Sequence, residues 1–178
     1  NRNNCTVFMN NSNLITLNLP VDKKLVEDLY TIKVRNQEIY QFPTFGDAYG
    51  SDYKLFERNE LSIDNFQKKL IKIANNSLKS DIFISDSFFT IFRSGGGLVS
   101  HDHLNKIDRI EGLDIAKKKF SLVYYLSVGD QTCDEPGILK LENPNQEILP
   151  SNGLIIIFPA KRKHSVFYKG EKDRIIIG

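Results

Sequence analysis

The sequence predicts a mainly β protein, an antiparallel sandwich or barrel with a helix packed against the outside of a sheet. From residue 81 onward the apolar residues fall into short runs, and Pro136, Pro144, Pro150 and Pro159 punctuate them. Short strands with turn residues between them are typical of antiparallel sandwiches and barrels. The aromatic content of 11%, all of it phenylalanine and tyrosine, suits such an interior.

Composition is that of one globular domain. The 178 residues are 40% hydrophobic and 26% charged, and the net charge of +2 is too small to indicate a nucleic acid or a membrane as a partner. No apolar run reaches the roughly 18 residues that a membrane span requires. Two distant cysteines, Cys5 and Cys133, form no disulfide framework and favour a reducing, cytoplasmic location. The first residue is not methionine, which favours a fragment of a longer protein.

The first elements are two short strands and a helix. Residues 6–9 and 14–19 are predicted as strands, and Pro20 ends the second. Asp22 is predicted to cap a helix, since its side chain can accept a backbone N–H of the first turn. The apolar face of this helix is Leu25, Leu29 and Ile32.

A loop and a second helix follow. Residues 35–60 show no period and are predicted as a long loop, with the tyrosine- and glycine-rich segment 41–53 as a candidate lid. Ser62 is predicted to cap the second helix. Its apolar positions follow helical spacing: Ile63, Phe66, Leu70, Ile73, Ala74 and Leu78.

The remaining elements are predicted as strands. A long strand covers residues 81–93 and ends at the three glycines 95–97. Residues 104–118 are a charged loop or short helix. The other predicted strands are 98–103, 120–128, 137–141, 153–158, His164–Tyr168 and Arg174–Ile177.

The three histidines of the chain all lie in the strand-rich part. On a strand, His101 and His103 point to the same face and could bind one metal ion together. A single histidine on a strand is more often structural than a ligand. The His-x-His pair and His164, which a meandering sheet can bring opposite, together favour a metal site.

The context of His164 strengthens this interpretation. A turn at Pro150 and Gly153 precedes an apolar strand, and His164 follows that strand. Arg174 stands ten residues after His164. An arginine beside a metal site is suited to anchor a carboxylate, because its guanidinium makes bidentate pairs.

These residues resemble the 2-oxoglutarate and Fe(II)-dependent oxygenase superfamily, in particular its prolyl-hydroxylase-like branch and poorly characterised bacterial and phage members with a His-x-His pair. The match begins at about residue 88. The matching features in chain order are His101-Asp102-His103, Val123-Tyr124-Tyr125-Leu126, the turn at 150–153, the strand 154–159, His164 and Arg174. The resemblance implies a double-stranded β-helix (jelly roll) in residues 81–178. Residues 1–80 would support it within a single domain, 1–178.

The resemblance also implies an activity. His101, His103 and His164 would hold Fe(II), while Arg174 and Tyr125 would bind the distal carboxylate of 2-oxoglutarate. The reaction would hydroxylate a substrate C–H bond with release of succinate and carbon dioxide, and ascorbate is a candidate reductant. The substrate is expected to be a small molecule or a peptidyl side chain, with neither nucleic acid nor membrane as a partner.

One position departs from the superfamily, whose metal site has two histidines and one carboxylate. His103 holds the position of the carboxylate. Three readings stay open: His103 replaces the carboxylate, Asp102 binds the metal after a local bulge, or Asp108 supplies the oxygen.

Two rival functions follow from the same residues. Gly95 and the pair His101-x-His103 fit the start of a cupin motif, so a cupin-type metal dioxygenase with three histidines is one alternative. Against it, eleven positions separate Gly153 from His164, whereas a cupin places its histidine about three residues after the turn. The other alternative is a non-catalytic metal- or ligand-binding domain.

Overall fold

The computed structural model of the protein describes residues 8–9, 14–32 and 44–178. Strands are the commonest regular structure among these residues. In chain order they are β1 (Phe8–Met9), β2 (Ile15–Asn18), β3 (Thr44–Phe45), β4 (Ala48–Gly50), β5 (Phe89–Phe92), β6 (Gly96–His101), β7 (Phe120–Ser127), β8 (Leu139–Leu141), β9 (Gln146–Ile148), β10 (Leu154–Pro159), β11 (His164–Tyr168) and β12 (Arg174–Ile177).

The helices are α1 (Lys23–Thr31), α2 (Leu61–Leu78) and the short α3 (Ile115–Lys118), with a 3₁₀ turn at Leu55–Glu57. Asp22 caps α1 as predicted, because its side chain accepts the N–H of Lys24 at 2.9 Å. The apolar face of α1 is buried against the sheet, with Leu25 and Leu29 almost fully covered.

The strands form two antiparallel sheets. The major sheet has the order β1-β2-β10-β7-β12-β5-β4, and the minor sheet has the order β3-β6-β11-β8-β9. Because side chains alternate along a strand, each central strand of the major sheet has two buried faces. Tyr124 faces the helices, where its ring stacks on Phe66 of α2 at a centroid distance of 5.0 Å. Tyr125 faces the minor sheet and belongs to a second core between the sheets. The predicted mainly β, antiparallel architecture is confirmed.

Several predicted boundaries are wrong. Helix α2 begins at Leu61 after Glu60, so Ser62 is not its cap; the Ser62 hydroxyl donates instead to Asp28 of α1 at 2.6 Å. The predicted long strand at 81–93 shortens to β5, which pairs with β12 along its whole length and with β4 at residues 90–92. Phe83 before it is 86% exposed.

The glycine run and the loop prediction also need correction. Gly96 and Gly97 do not break a strand but begin β6, which ends at His101, so His103 lies beyond it. The predicted loop 35–60 contains β3, β4 and the 3₁₀ turn in its described part. Part of the candidate lid therefore pairs with both sheets, while residues 41–43 lie outside the described residues. Within the described residues, no helix is long and apolar enough to cross a membrane.

Candidate metal centre

Three backbone features bring the histidines together. His101 ends β6 and His164 begins β11, and the two residues are direct partners in the antiparallel pairing of these strands. His103 lies two residues past β6, where its N–H donates to the carbonyl of Ala160 at 2.9 Å. Strand pairing therefore positions two histidines, and a separate backbone hydrogen bond from the loop after β10 positions the third.

The imidazole rings face one another. Ring centroids are 4.3 Å apart for His101 and His164, 5.0 Å for His103 and His164, and 5.1 Å for His101 and His103. One ligand nitrogen from each ring lies within 4.8 Å of the other two. The three nitrogens are thus close enough to share a single ion.

Burial keeps all three rings neutral near pH 7. Desolvation is the main cause that lowers the pKa of His103 to about 4 and of His164 to about 3, and the neighbouring imidazoles lower both further. The pKa of His101 is also lowered by desolvation. A metal ion needs the neutral form of imidazole, so the cluster is electrostatically prepared for one.

Backbone carbonyls orient two of the rings. Nδ1 of His101 lies 2.7 Å from the carbonyl oxygen of Val99, and Nδ1 of His164 lies 3.3 Å from that of Arg162. A carbonyl only accepts hydrogen bonds, so in each case Nδ1 carries the proton and the lone pair is on Nε2. Fixing the tautomer of a ligand histidine in this way is common in metal sites.

The two candidate carboxylates have other partners. Asp102 pairs with Arg109 at 2.5 Å and accepts the N–H of Leu104, and the Arg109 contact is the main cause that lowers its pKa. Asp108 is buried in an ion pair with Lys119 at 2.7 Å. Among the described residues, no carboxylate or thiol joins the histidine cluster. The geometry therefore favours the reading in which His103 takes the place of the carboxylate.

The histidines open onto an apolar cavity between the sheets. The inner faces of β5, β7 and β12 form one wall, and β6, β8 and β11 form the other. Its polar lining residues are few: His101, His103, Ser121, Tyr125, His164 and Arg174.

Arg174 is the main cation of this cavity. Only 1% of its surface is exposed, and its Nε and Nη1 have no hydrogen-bond partner among the described residues. Its guanidinium lies over the ring of Tyr125, with Cζ 5.1 Å from the ring centroid. Burying a cation with unpaired donors costs free energy unless an anion compensates for it. These orphaned N–H groups fit a bound carboxylate.

Gly137, which precedes β8, allows the guanidinium to lie where it does. A β-carbon at this position would lie 2.4 Å from Nη1 and 2.6 Å from Cζ of Arg174, so a larger residue would displace the guanidinium. The residue also has a φ of +80°, which favours glycine. From the sequence, Gly137 was predicted only as the first residue of the strand 137–141.

Ser121 was also missed. It lies on the inner face of β7, is 8% exposed, and its hydroxyl has no partner among the described residues. The signal was available in the sequence: Ser121, Val123 and Tyr125 alternate along one strand, so a serine within an apolar run shares the face of Tyr125.

Comparison with known proteins gives matches in structure only. No family model and no curated protein matches the chain. It is similar to a prolyl-4-hydroxylase from Pseudomonas putida, with a TM-score of 0.61 and 16% identity over 94% of this chain and 90% of that one.

Two further structures are similar over 94% of this chain. A prolyl hydroxylase from Trichoplax adhaerens, in complex with a hypoxia inducible factor peptide fragment, has a TM-score of 0.62 and 12% identity over 82% of its chain. A viral collagen prolyl hydroxylase from Paramecium Bursaria Chlorella virus-1, in a 2-oxoglutarate complex, has a TM-score of 0.60 and 15% identity over 94% of its chain. The chain therefore has the double-stranded β-helix fold of the prolyl-hydroxylase-like 2-oxoglutarate and Fe(II)-dependent oxygenases.

Proposed function

We propose that the protein is an Fe(II)- and 2-oxoglutarate-dependent dioxygenase that hydroxylates a substrate. The observation that carries this proposal is the composition of one cavity. Three neutral histidines line it together with a buried arginine whose Nε and Nη1 have no partner among the described residues. A metal ion and a carboxylate would satisfy these two sets of groups at once.

His101, His103 and His164 would hold the iron. When bound together, iron and 2-oxoglutarate supply the activation of dioxygen that hydroxylation requires. The three imidazoles add no negative charge, so the ion would keep its full +2 charge towards its other ligands. This charge favours an anionic co-ligand such as the carboxylate of a 2-oxo acid.

Arg174 and Tyr125 would bind the distal carboxylate. Burial raises the pKa of Tyr125 to about 12, so its hydroxyl stays protonated at neutral pH and can donate a hydrogen bond. The apolar walls, with Phe92 and Phe158 among them, would exclude water from this contact. In a water-poor cavity the arginine–carboxylate pair is stronger than at an exposed site.

The substrate is proposed to be a small molecule or a peptidyl side chain. Of the structures named above, that from Trichoplax adhaerens holds a peptide, which makes a peptidyl substrate the first class to screen. Ascorbate as a reductant and a cytoplasmic location stay predictions.

A cupin-type metal dioxygenase is the second candidate, and one observation favours it: no carboxylate of the described residues joins the histidine cluster. Such an enzyme would bind iron but would have no use for an arginine that receives 2-oxoglutarate. The two candidates therefore differ in whether the protein binds the 2-oxo acid.

The test is an anaerobic titration of Fe(II) with and without 2-oxoglutarate, followed by visible absorption. We expect a weak charge-transfer band that needs both the metal and the 2-oxo acid. Arg174→Ala should lose this band at moderate 2-oxoglutarate concentrations and still bind iron. The control is Arg93→Ala, because Arg93 is 48% exposed in its side chain and pairs with Asp173 at 3.4 Å on the surface.

Each other outcome has a definite meaning. Iron binding without the band would favour the cupin-type candidate. No iron binding would leave a non-catalytic domain. An unchanged band in Arg174→Ala would remove Arg174 from the 2-oxoglutarate site.

A further inference from the structure

Ser121 carries a buried hydroxyl that has no role in the proposed binding of iron or of the distal carboxylate. Its side-chain oxygen is buried, faces the cavity, and has no hydrogen-bond partner among the described residues. Buried polar groups in proteins are nearly always paired, so an unpaired hydroxyl in a cavity wall indicates a ligand or a solvent molecule on that side. Thr90 has a similarly orphaned hydroxyl but does not line the cavity.

Ser121 lies far along β7 from Tyr125, the residue of this strand that contacts Arg174. Ser121 and Tyr125 lie on the same face of the strand, four residues apart. At about 3.3 Å per residue, this spacing separates their backbones by roughly 13 Å. Tyr125 lies against the Arg174 guanidinium. Ser121 therefore lies towards the opposite end of the cavity.

That opposite end is where the histidines are. Ser121 is the direct partner of Phe158 on β10, and the ring of Phe158 lies 5.0 Å from that of His164. Ala160 connects the start of β7 to His103. The N–H of Ala160 donates to the carbonyl of Lys119, just before β7, at 2.9 Å. The carbonyl of Ala160 accepts the N–H of His103, also at 2.9 Å. The start of β7 thus lies beside the metal centre.

We infer that Ser121 is a ligand-binding residue whose hydroxyl donates a hydrogen bond to the carboxylate of the 2-oxo acid at the histidine end of the cavity. This inference rests on the proposed function. The inner face of β7 would then contact both ends of a five-carbon diacid, with Tyr125 beside Arg174 at the distal carboxylate. The length of such a diacid plus a hydrogen bond of about 2.8 Å at each end is similar to the distance between Ser121 and Tyr125 along the strand.

The test measures binding rather than turnover. The protein is loaded with Fe(II) under nitrogen and titrated by calorimetry with 2-oxoglutarate and, separately, with oxalate, a dicarboxylate too short to reach Arg174 from the metal. We expect Ser121→Ala to weaken both ligands about tenfold or more, the effect of losing one hydrogen bond to a charged group. Arg174→Ala should weaken 2-oxoglutarate alone.

Two variants make this result specific. Thr90→Val removes a buried, unpaired hydroxyl of a residue that does not line the cavity and should change neither affinity more than about twofold. Ser121→Thr keeps the hydroxyl and should retain most of the affinity for oxalate.

The outcomes separate this inference from the proposed function. If the wild-type protein binds 2-oxoglutarate and Ser121→Ala binds both ligands equally well, the inference is wrong and the proposed function stands. Equal losses in Ser121→Ala and Thr90→Val would also overturn it, since the effect would then be structural. If the wild-type protein with bound iron binds neither ligand, both ideas fail together.

Discussion

His103 differs from the other two histidines in what holds it in place. His101 and His164 are fixed by their pairing across β6 and β11, whereas His103 depends on one backbone hydrogen bond to Ala160 and on packing against Phe88, at a ring-centroid distance of 6.3 Å. By the resemblance seen in the sequence, His103 also stands where the superfamily has a carboxylate. The identity of the third ligand is therefore the most informative question at the scale of single residues.

Two neighbouring substitutions answer this question. His103→Ala should weaken Fe(II) binding more than about 100-fold. Removing a metal ligand weakens binding more than removing a residue that only hydrogen-bonds to a ligand, which typically costs about 10- to 100-fold. Asp102→Asn should weaken it only about threefold or less, since Asp102 pairs with Arg109 outside the cluster. Anaerobic calorimetry with Fe(II) measures both. A large loss of iron in Asp102→Asn, with little effect of His103→Ala, would transfer the ligand role to Asp102.

At the scale of elements, the turn before β8 controls the arginine. Gly137→Ala places a methyl group where the Arg174 guanidinium lies. We expect it to weaken 2-oxoglutarate binding about tenfold or more while Fe(II) still binds, because the three atoms nearest the added carbon all belong to Arg174. The control is Gly112→Ala, which has a similar φ of +90° but no atom within 4 Å of the added carbon. Equal losses in both variants would show that backbone strain, and not the guanidinium, causes the effect.

A second arginine holds the β8–β9 hairpin onto the loop that leads to His164. Nε of Arg162 donates to the carbonyl of Glu142 at 2.9 Å, and Nη2 donates to Oε1 of Gln146 at 2.8 Å and to the carbonyl of Pro144. The side chain is only 5% exposed. These bonds join two segments that are distant in sequence.

Arg162→Ala should lower the free energy of unfolding by roughly 2–4 kcal/mol, since three partly buried acceptors lose a charged donor together. Urea unfolding of the metal-free protein gives this value. Arg93→Ala, on the surface, should stay within about 1 kcal/mol of the wild type. A similar small change for Arg162→Ala would mean that the hairpin is held by its strand pairing alone.

The elements that the sequence predicted well are those with a single strong periodicity. Helix α1 and strands β7, β11 and β12 came out close to their predicted bounds, because their apolar pattern and their burial agree. The segment before β5 did not. Residues 81–88 have strand-like composition, but a strand also needs neighbours, and composition does not tell which residues find them.

At the scale of the whole molecule, the sequence indicated which site residues come together in one cavity. It did not indicate the contacts that depend on the three-dimensional fold. Spacing and resemblance suggested His101, His103, His164 and Arg174, which line one cavity in the structure. Ser121 and Gly137 were missed because their importance comes from cross-strand pairing and from a close approach to Arg174. The partners of Asp102 and Asp108 likewise depend on the fold of the loop after His103.

The stability of the whole molecule should carry a signature of the histidine cluster. The chain has only three histidines, and all three lie in the cluster. Burial lowers the pKa of His103 to about 4 and of His164 to about 3, below the value of 6.5 for an unperturbed histidine. Between pH 6.5 and about 5 the unfolded chain therefore binds more protons than the folded one.

Because the unfolded chain binds more protons, lowering the pH favours unfolding. The free energy of unfolding of the metal-free protein should be highest above pH 6.5 and should fall as the pH is lowered towards 4. Most carboxylates stay ionised above about pH 5, so the upper part of this window reports on histidines alone. Urea unfolding at pH 7.5, 6.5, 5.5 and 5.0 measures the slope.

Replacing both His103 and His164 by glutamine should flatten that slope, because glutamine takes up no proton. Saturating Zn²⁺ should raise the free energy of unfolding of the wild-type protein by nearly the same amount at each of these pH values, because the folded imidazoles are already neutral throughout this window. The double variant should show no such response to Zn²⁺. An identical pH slope in the wild type and the double variant would mean that these rings are not buried as neutral groups, and the metal centre would lose its electrostatic basis.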